Sequence, residues 1–320
     1  MFTRIFSILR SIIAILFSFI SNSILVSLFL TFLVTIVDVH QWKWVQTILQ
    51  WLKWPVTQNN AFALFFCVFL VLPFLLSPSR LMAWILAKTN GWRKAGAEER
   101  DYIQSHIDNV LSRGGLKKKK YHLYIVEEPD INAAAFGVNN ILVTRGAMIA
   151  AEQNPGLMEG FLAHEMGHIT YGHSFVLSFI IVMESCGRAS SYVLEKINWF
   201  LAEVVGRIPL INLVSFFIIL SISLIFIILG VFNKITNYII LWFFRQDEHA
   251  ADGYACKIGF GPELLRGLEL LEKSSASEEK KGVLANINND HPSLPHRIET
   301  IQKYLEKHPE KTHAYLPEHY

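Results

Sequence analysis

Two long stretches without a charged residue constrain this chain most strongly. Ser11–Val37 covers 27 residues and Ile208–Phe232 covers 25, and neither contains Asp, Glu, Lys or Arg. A helix needs about 20 apolar residues to cross the hydrocarbon core of a bilayer. The first stretch is also longer than the apolar core of a signal peptide, and no small-x-small cleavage pattern precedes Asp38. We therefore interpret both stretches as membrane-spanning helices, the first of them an uncleaved anchor.

The composition also requires a soluble part. Hydrophobic residues make up 52% of the 320 residues and charged residues 18%, with the polar character beginning at about Ala95. The net charge of +2 gives no reason to expect a nucleic-acid partner. The three cysteines have no CxxC spacing, so neither a disulfide framework nor a thiolate metal site is predicted; they are Cys67, Cys186 and Cys256.

Residues 1–87 are predicted to form an N-terminal membrane region with two spans. The spans lie at about 11–37 and 58–77, and the intervening segment 38–57 carries four of the eight tryptophans. Tryptophan favours the headgroup level, so we expect this segment along the outer interface. Basic residues before the first span and after the second outnumber those between them, which places the N-terminus in the cytoplasm; they are Arg4, Arg10, Arg80, Lys88, Arg93 and Lys94, against Lys43 and Lys53.

The rest of the chain is predicted to be one α+β domain, mainly helical, interrupted by a second membrane hairpin. Tyr121–Val126 and Ile141–Thr144 have the composition of strands in a small sheet. Both halves of the domain must lie on one side of the membrane, so two or four spans are expected in total. As an alternative to two further spans, the second hairpin could dip into one leaflet. The predicted segments are 88–173 and 233–320 for the domain and 174–232 for the hairpin, with spans at about 174–190 and 208–232.

The chemistry is indicated by His164-Glu165-Met166-Gly167-His168, an H-E-x-x-H motif on a predicted helix. Residues four apart share a helix face, so His164 and His168 can direct two imidazole nitrogens at one metal ion. Glu165 is placed to deprotonate an attacking water. The sequence therefore predicts one Zn²⁺ per chain with Glu165 as the catalytic base.

A catalytic zinc site needs a third protein ligand. His173 is one residue out of register for a third histidine of the metzincin type, and we expect it to be a polar residue at the membrane surface. A glutamate from a later helix, the gluzincin arrangement, is the other option. Glu248 is better placed than Glu184, Glu195 or Glu203, which lie in or beyond the apolar segments, and Asp252 four residues later can support a ligand histidine.

Four separated motifs resemble those of the HtpX-like membrane zinc metallopeptidases, which are relatives of the CAAX prenyl proteases. They are HEMGH, RQDEHAAD with Glu248 and Asp252, NAAAFG before LVTRGAM, and the late HPSLPHRI. The resemblance runs from about Ala95 to the C-terminus. It implies a gluzincin-type zinc peptidase domain attached to about four transmembrane helices, with zinc bound by His164, His168 and Glu248.

The resemblance also implies roles for two further groups of residues. The stretch Asn132, Ala133, Ala134, Ala135, Phe136 and Gly137 is expected to be an edge strand that pairs with extended substrate. His291 and Arg297 are expected to stabilise the oxyanion or to order the site, with a proline-rich loop and a capping arginine as the equally favoured structural alternative.

The predicted function is cleavage of damaged or misfolded membrane proteins, or of other unfolded polypeptides, at the cytoplasmic face of a bacterial inner membrane. A CAAX-type prenyl protease is the second hypothesis, but such enzymes have more spans than this chain supplies. A site-two type intramembrane protease ranks lower, because no LDG-like aspartate lies in an apolar span. A zinc-binding membrane scaffold would have no use for Glu165. The sequence leaves the cleavage preference, the regulatory partners and the choice between monomer and homo-oligomer open.

Overall fold

In the computed structural model, residues 2–204, 212–275 and 293–311 are described. The helices are α1 Phe2–Thr35, α2 Lys43–Trp51, α3 Gln58–Leu76, α4 Arg80–Thr89, α5 Ala97–Arg113, α6 Arg145–Gln153, α7 Leu157–Tyr171, α8 His173–Val204, α9 Asn212–Lys257, α10 Gly261–Ser275 and α11 Leu294–Lys307. The strands are β1 Arg93–Lys94, β2 His122–Val126, β3 Ala133–Phe136 and β4 Asn140–Thr144. The predicted fold class, mainly helical with a small sheet, is confirmed.

These residues divide into two compact units, and long helices contribute to both. The mixed unit, which contains the sheet, comprises Met1–Ile12, Pro78–Ser178 and Leu241–Tyr320. The helical unit comprises Ile13–Ser77 and Phe179–Ile240.

The sheet of the mixed unit has the strand order β1-β2-β4-β3. Strands β2 and β4 are parallel, whereas β3 pairs with β4 in antiparallel register, with Ala135 opposite Ile141. Both faces of the central strands are buried, as expected for a covered sheet. Ile125 and Val143 pack into the main core with α5, α7, α10 and α11, while Tyr124 packs on the other face with α4. Strand β3 is left at one edge.

Several helices are long and apolar enough to cross a membrane. They are Ile5–Thr35, Gln58–Leu76 and Ile227–Lys257, and the pair Leu157–Tyr171 with His173–Phe200, bent at the break between them, is a fourth if it counts as one span. The predicted span at 58–77 agrees closely with the second of these. The first four residues of the predicted span at 208–232 lie outside the described residues.

The helical unit exposes many large apolar side chains, as a lipid-facing surface requires. Trp51 is 80% exposed and Leu75 is 65% exposed. Helix α2 buries Val45 and Leu49 against residues of α1 and α3, while Trp44 and Trp51 point outward. This amphipathic arrangement of the tryptophan-rich segment is suited to a membrane interface.

Candidate metal centre

Gly167 brings the helix of the H-E-x-x-H motif, α7, close to α9. A Cβ at Gly167 would lie 3.0 Å from the Cα of Ala251 and 3.2 Å from its carbonyl oxygen. The absence of a side chain therefore lets the two backbones approach each other. As a result, Glu248 on α9 reaches the face of α7 that carries His164 and His168.

Three side chains converge within this contact. His164 Nε2 lies 3.1 Å from His168 Nε2 and 3.3 Å from Glu248 Oε2, and His168 Nε2 lies 3.2 Å from Glu248 Oε1. A tetrahedral zinc ion with bonds of about 2.0 Å holds its ligand atoms about 3.3 Å apart. The group can hold a metal ion, and both its donor atoms and their separations fit zinc.

Asp252 and Arg297 support the first histidine. His164 Nδ1 lies 2.9 Å from Asp252 Oδ1. Because a carboxylate only accepts, the ring hydrogen is on Nδ1 and the Nε2 lone pair faces the other ligands. Arg297 donates to both oxygens of Asp252, at 2.8 and 2.6 Å, and its Nη1 lies 3.1 Å from Glu248 Oε2. All four side chains are buried.

His168 is supported in a different way, through a second imidazole. Its Nδ1 lies 3.1 Å from Nδ1 of His173, which starts α8 after the left-handed residue Gly172 ends α7. The expectation that His173 is a polar residue at the membrane surface is wrong, because the ring is buried against His168. Its Nε2 lies 2.5 Å from Ser7 Oγ and 3.3 Å from Asp247 Oδ1. Sequence reasoning rejected His173 as a third metal ligand and did not predict its contact with His168.

Asp247 is in turn held by an arginine from the start of the chain. Arg10 donates to Asp247 Oδ1 from Nη2 at 2.9 Å and from Nε at 3.2 Å. Sequence reasoning used Arg10 only as evidence for membrane orientation and did not single out Asp247. One available signal was the position of Asp247 directly before Glu248, but nothing in the sequence pairs it with residue 10.

Glu165 connects the motif to the sheet. Its side chain is buried, and Oε2 accepts a hydrogen bond of 2.6 Å from the backbone N–H of Ala135 in β3. The structure therefore places the predicted base directly beside the predicted edge strand.

The backbone of β3 has one side that faces away from β4. The carbonyl of Asn132 accepts from Thr144 N at 3.0 Å, so Asn132, Ala134 and Phe136 direct their backbone polar groups toward β4. The alternate residues face the other way. The N–H of Ala135 accordingly binds Glu165, and that of Gly137 donates to Ser178 Oγ at 2.9 Å.

The sequence-predicted site residues are thus largely brought together. His164, Glu165, His168, Glu248, Asp252, Arg297 and the stretch 132–137 all belong to the mixed unit. The contacts of Arg297 favour the ordering role that was one of its two expectations. His291 lies outside the described residues.

Comparison with known proteins agrees with this geometry. The family model described as "Peptidase family M48" matches residues 97–305. A protein named "Protease HtpX homolog" from Neisseria meningitidis is 24% identical over 219 residues, covering 64% of this chain and 73% of that protein. "Protease HtpX" from Psychrobacter sp. is 26% identical over 204 residues, covering 55% and 61%. Another "Protease HtpX homolog", from Desulfotalea psychrophila, is 25% identical over 252 residues, covering 69% and 81%.

The family model covers well over half of the chain and includes every residue of the metal-ligand group. The apolar helices fit a multi-pass membrane protein. The chain belongs to peptidase family M48 and is an HtpX-like membrane metalloprotease.

Proposed function

We propose that this protein is a zinc-dependent endopeptidase that cleaves misfolded or damaged membrane proteins and other unfolded polypeptides. The observation that carries the proposal is the convergence of His164, His168 and Glu248, with Glu165 beside a sheet edge. Zinc held by these three groups would lower the pKa of a water to roughly 7 and polarise the scissile carbonyl.

The chain's own residues supply the remaining chemistry. Glu165 takes the proton of the attacking water and passes it to the leaving amine. Ala135 donates to Glu165 Oε2, which orients the carboxylate while leaving its other oxygen for the water. Asp252 and Arg297 keep the lone pair of His164 directed at the metal.

The edge strand supports binding of an extended polypeptide. The N–H of Ala135 donates to Glu165. Among the described residues, the other outward backbone groups of β3 that we propose for substrate pairing are the N–H and C=O of Ala133 and the C=O of Ala135. Three hydrogen bonds of this kind recognise a backbone independently of its side chains. Such recognition suits substrates that share an unfolded state rather than a sequence.

The site is proposed to face the cytoplasm of a bacterial inner membrane, with the lipid bilayer around the helical unit. The flanking basic residues favour this orientation. A single cysteine placed at Lys53, in a background without the native cysteines, should react with an impermeant reagent on intact spheroplasts. One placed at Lys118 should react only after lysis, and the reverse pattern would contradict the orientation.

The central test separates metal binding from proton transfer. Full-length wild type, purified in detergent, should contain one zinc by elemental analysis and cleave both an unfolded polypeptide and a model single-span protein. Glu165→Gln should keep the zinc and lose at least about a hundredfold in turnover. Glu248→Ala should lose the zinc. Glu306→Gln, an exposed position on α11, is the matched control and should change neither.

A zinc-loaded Glu165→Gln variant that still cleaves at the wild-type rate would contradict the role of Glu165. Wild type that binds zinc at these ligands without cleaving any polypeptide would favour the alternative function, a zinc-binding membrane scaffold without catalytic activity.

The proposed pairing of substrate with β3 can be tested with two proline variants. Ala133→Pro removes an N–H that faces away from β4, so the sheet should persist while KM for a polypeptide rises. Ala134→Pro removes an N–H that faces β4 and should instead lower the melting temperature. An unchanged KM in a folded Ala133→Pro variant would exclude β3 as the binding edge.

A further inference from the structure

The proposed mechanism leaves four polar side chains behind His168 without a role. Three of them, Ser7, His173 and Asp247, are buried, and the side chain of Arg10 is 19% exposed. Burying polar and charged groups is costly unless they are paired with one another. Here they form one connected set that ends on a metal ligand.

We propose that Arg10, acting through Asp247 and His173, is a positioning residue for the metal ligand His168. The proposal rests on the metal centre of the proposed function. It assigns to the first turns of α1 a part in metal binding that is separate from membrane anchoring.

The charge and polarity of these contacts carry the argument. A guanidinium only donates and a carboxylate only accepts, so the two donors of Arg10 hold the acceptor Asp247 Oδ1 in position. His173 Nε2 lies 3.3 Å from that negatively charged oxygen and 2.5 Å from Ser7 Oγ, so both neighbours favour the ring hydrogen on Nε2. His173 Nδ1 is left as an acceptor for the hydrogen on His168 Nδ1, at 3.1 Å. The Nε2 lone pair of His168 is thereby directed at His164 and Glu248.

Ser7 strengthens the same arrangement. It stands three residues before Arg10, so both side chains lie on one face of α1. Its Oγ lies 2.5 Å from His173 Nε2 and can accept the same ring hydrogen. One helix face therefore presents a hydroxyl to the imidazole and a guanidinium to the carboxylate.

Loss of Arg10 should weaken zinc binding without removing a ligand. Without the guanidinium, the Asp247 carboxylate can rotate away from His173, and either nitrogen of His173 can then carry the hydrogen. A hydrogen on His173 Nδ1 would oppose the one on His168 Nδ1 and favour the tautomer of His168 that cannot bind metal through Nε2. Changes to residues that orient metal ligands typically cost ten- to a hundredfold in affinity.

The experiment measures the zinc Kd of full-length protein in detergent, by competition with a chromophoric chelator. Arg10→Met and Asp247→Asn should each raise Kd about tenfold or more. Arg10→Lys keeps the charge and should recover most of the affinity. Arg80→Met, at an exposed arginine that starts α4, is the matched control and should leave Kd unchanged.

A double variant tests whether the residues act through each other. In the Asp247→Asn background, Arg10→Met should have little additional effect on Kd, since the connection is already broken. Independent, multiplicative losses would overturn the proposal. So would Arg10→Met with a wild-type Kd, or equal losses for Arg10→Met and Arg10→Lys.

Cobalt substitution supplies a readout that general destabilisation would not move. The visible spectrum of the cobalt-loaded protein reports the ligand field, and it should change in Arg10→Met and return in Arg10→Lys. His168→Ala separates this inference from the proposed function. If His168→Ala abolishes zinc binding while Arg10→Met leaves both Kd and spectrum intact, only the role of Arg10 fails. If His168→Ala keeps full affinity, the metal centre itself fails.

Discussion

The two histidines of the proposed metal centre are held by different parts of the chain. His164 is supported directly by Asp252, which Arg297 holds with two short hydrogen bonds. His168 is supported indirectly, through His173 and then Asp247, which Arg10 holds. Each support ends in a carboxylate paired with an arginine, although one is direct and the other passes through an additional ring.

A single helix organises both supports. On α9, Asp247 directly precedes Glu248 and Asp252 follows it by one turn, so 247–252 supplies the third proposed ligand and the carboxylates of both supports. The arginines, by contrast, come from α11 and from the start of α1. The arginine of the direct support therefore comes from a helix that lies within the mixed unit, whereas the arginine of the indirect support comes from α1, which continues into the helical unit.

The largest difference between the supports should appear when their carboxylates are neutralised. Asp252→Asn leaves the buried Arg297 without its main partner, and breaking a buried pair costs about 3–5 kcal/mol. We expect a large fall in the melting temperature of the zinc-free protein together with a ten- to hundredfold rise in zinc Kd. Asp247→Asn should cost less stability, because the Arg10 side chain is 19% exposed, against 7% for Arg297, and water can replace its partner.

Asp101→Asn, at an exposed position on α5, is the control for this pair and should change neither quantity. Equal losses of stability in Asp247→Asn and Asp252→Asn would show that the two supports do not differ in the way their burial indicates.

A smaller effect is expected from adding a side chain where α7 and α9 are in close contact, because both supports depend on this contact. In Gly167→Ala the new methyl group would lie 3.0 Å from Ala251 Cα, so α7 and α9 must separate by a few tenths of an ångström. Overpacking of this kind costs about 1–3 kcal/mol. Because Glu248 moves relative to both histidines, zinc Kd should rise severalfold, as chelator competition can measure.

Gly253→Ala is the matched control on α9, where an added Cβ meets no atom of the described residues within 4 Å apart from its own helix. It should leave zinc Kd unchanged and raise stability by about 0.5–1 kcal/mol, the usual difference between the two residues inside a helix. An unaltered Kd in Gly167→Ala would mean that Glu248 can follow the histidines without this close contact.

The direct and indirect supports of the histidines differ in how far the sequence could predict them. The direct support was accessible because Glu248 and Asp252 lie four apart on a helix and the H-E-x-x-H spacing demands a distant ligand. The strands at 122–126 and 140–144 followed from their composition, while β1, only two residues long, did not. The indirect support was not accessible: a contact between residues 10 and 247 depends on how α1 passes α9, which no local pattern encodes.

His173 shows the same limit within a single turn. Its position one residue out of the metzincin register excluded a metal-ligand role, and the group that could hold a metal ion among the described residues consists of His164, His168 and Glu248. What sequence reasoning missed is that the left-handed Gly172 turns the chain, so that His173 folds back behind His168 instead of continuing along the helix.

The smallest expected effect comes from a third arginine–carboxylate pair, which serves as a reference outside the metal centre. Arg93 donates to both oxygens of Glu99 near the start of α5, at 2.6 Å each. These hydrogen bonds lower the pKa of Glu99 from 4.5 to about 2. Because the pKa of Glu99 is lower in the folded protein, its carboxylate increases the free energy of unfolding above pH 4.5. This contribution is lost as the pH falls toward 2. Because Arg93 is partly exposed, the contribution should not exceed about 1 kcal/mol.

Thermal melts of zinc-free wild type and Glu99→Gln measure this reference. The melting temperatures should differ by a few degrees at pH 7 and converge as the pH falls from 4.5 to 2, while zinc Kd at pH 7 stays equal in the two proteins. Any acid sensitivity of metal binding that remains in Glu99→Gln then belongs to the metal centre. A Glu99→Gln variant with weakened zinc binding at pH 7 would instead show that α5 is coupled to the ligands, and the two supports of the histidines would not be the only ones.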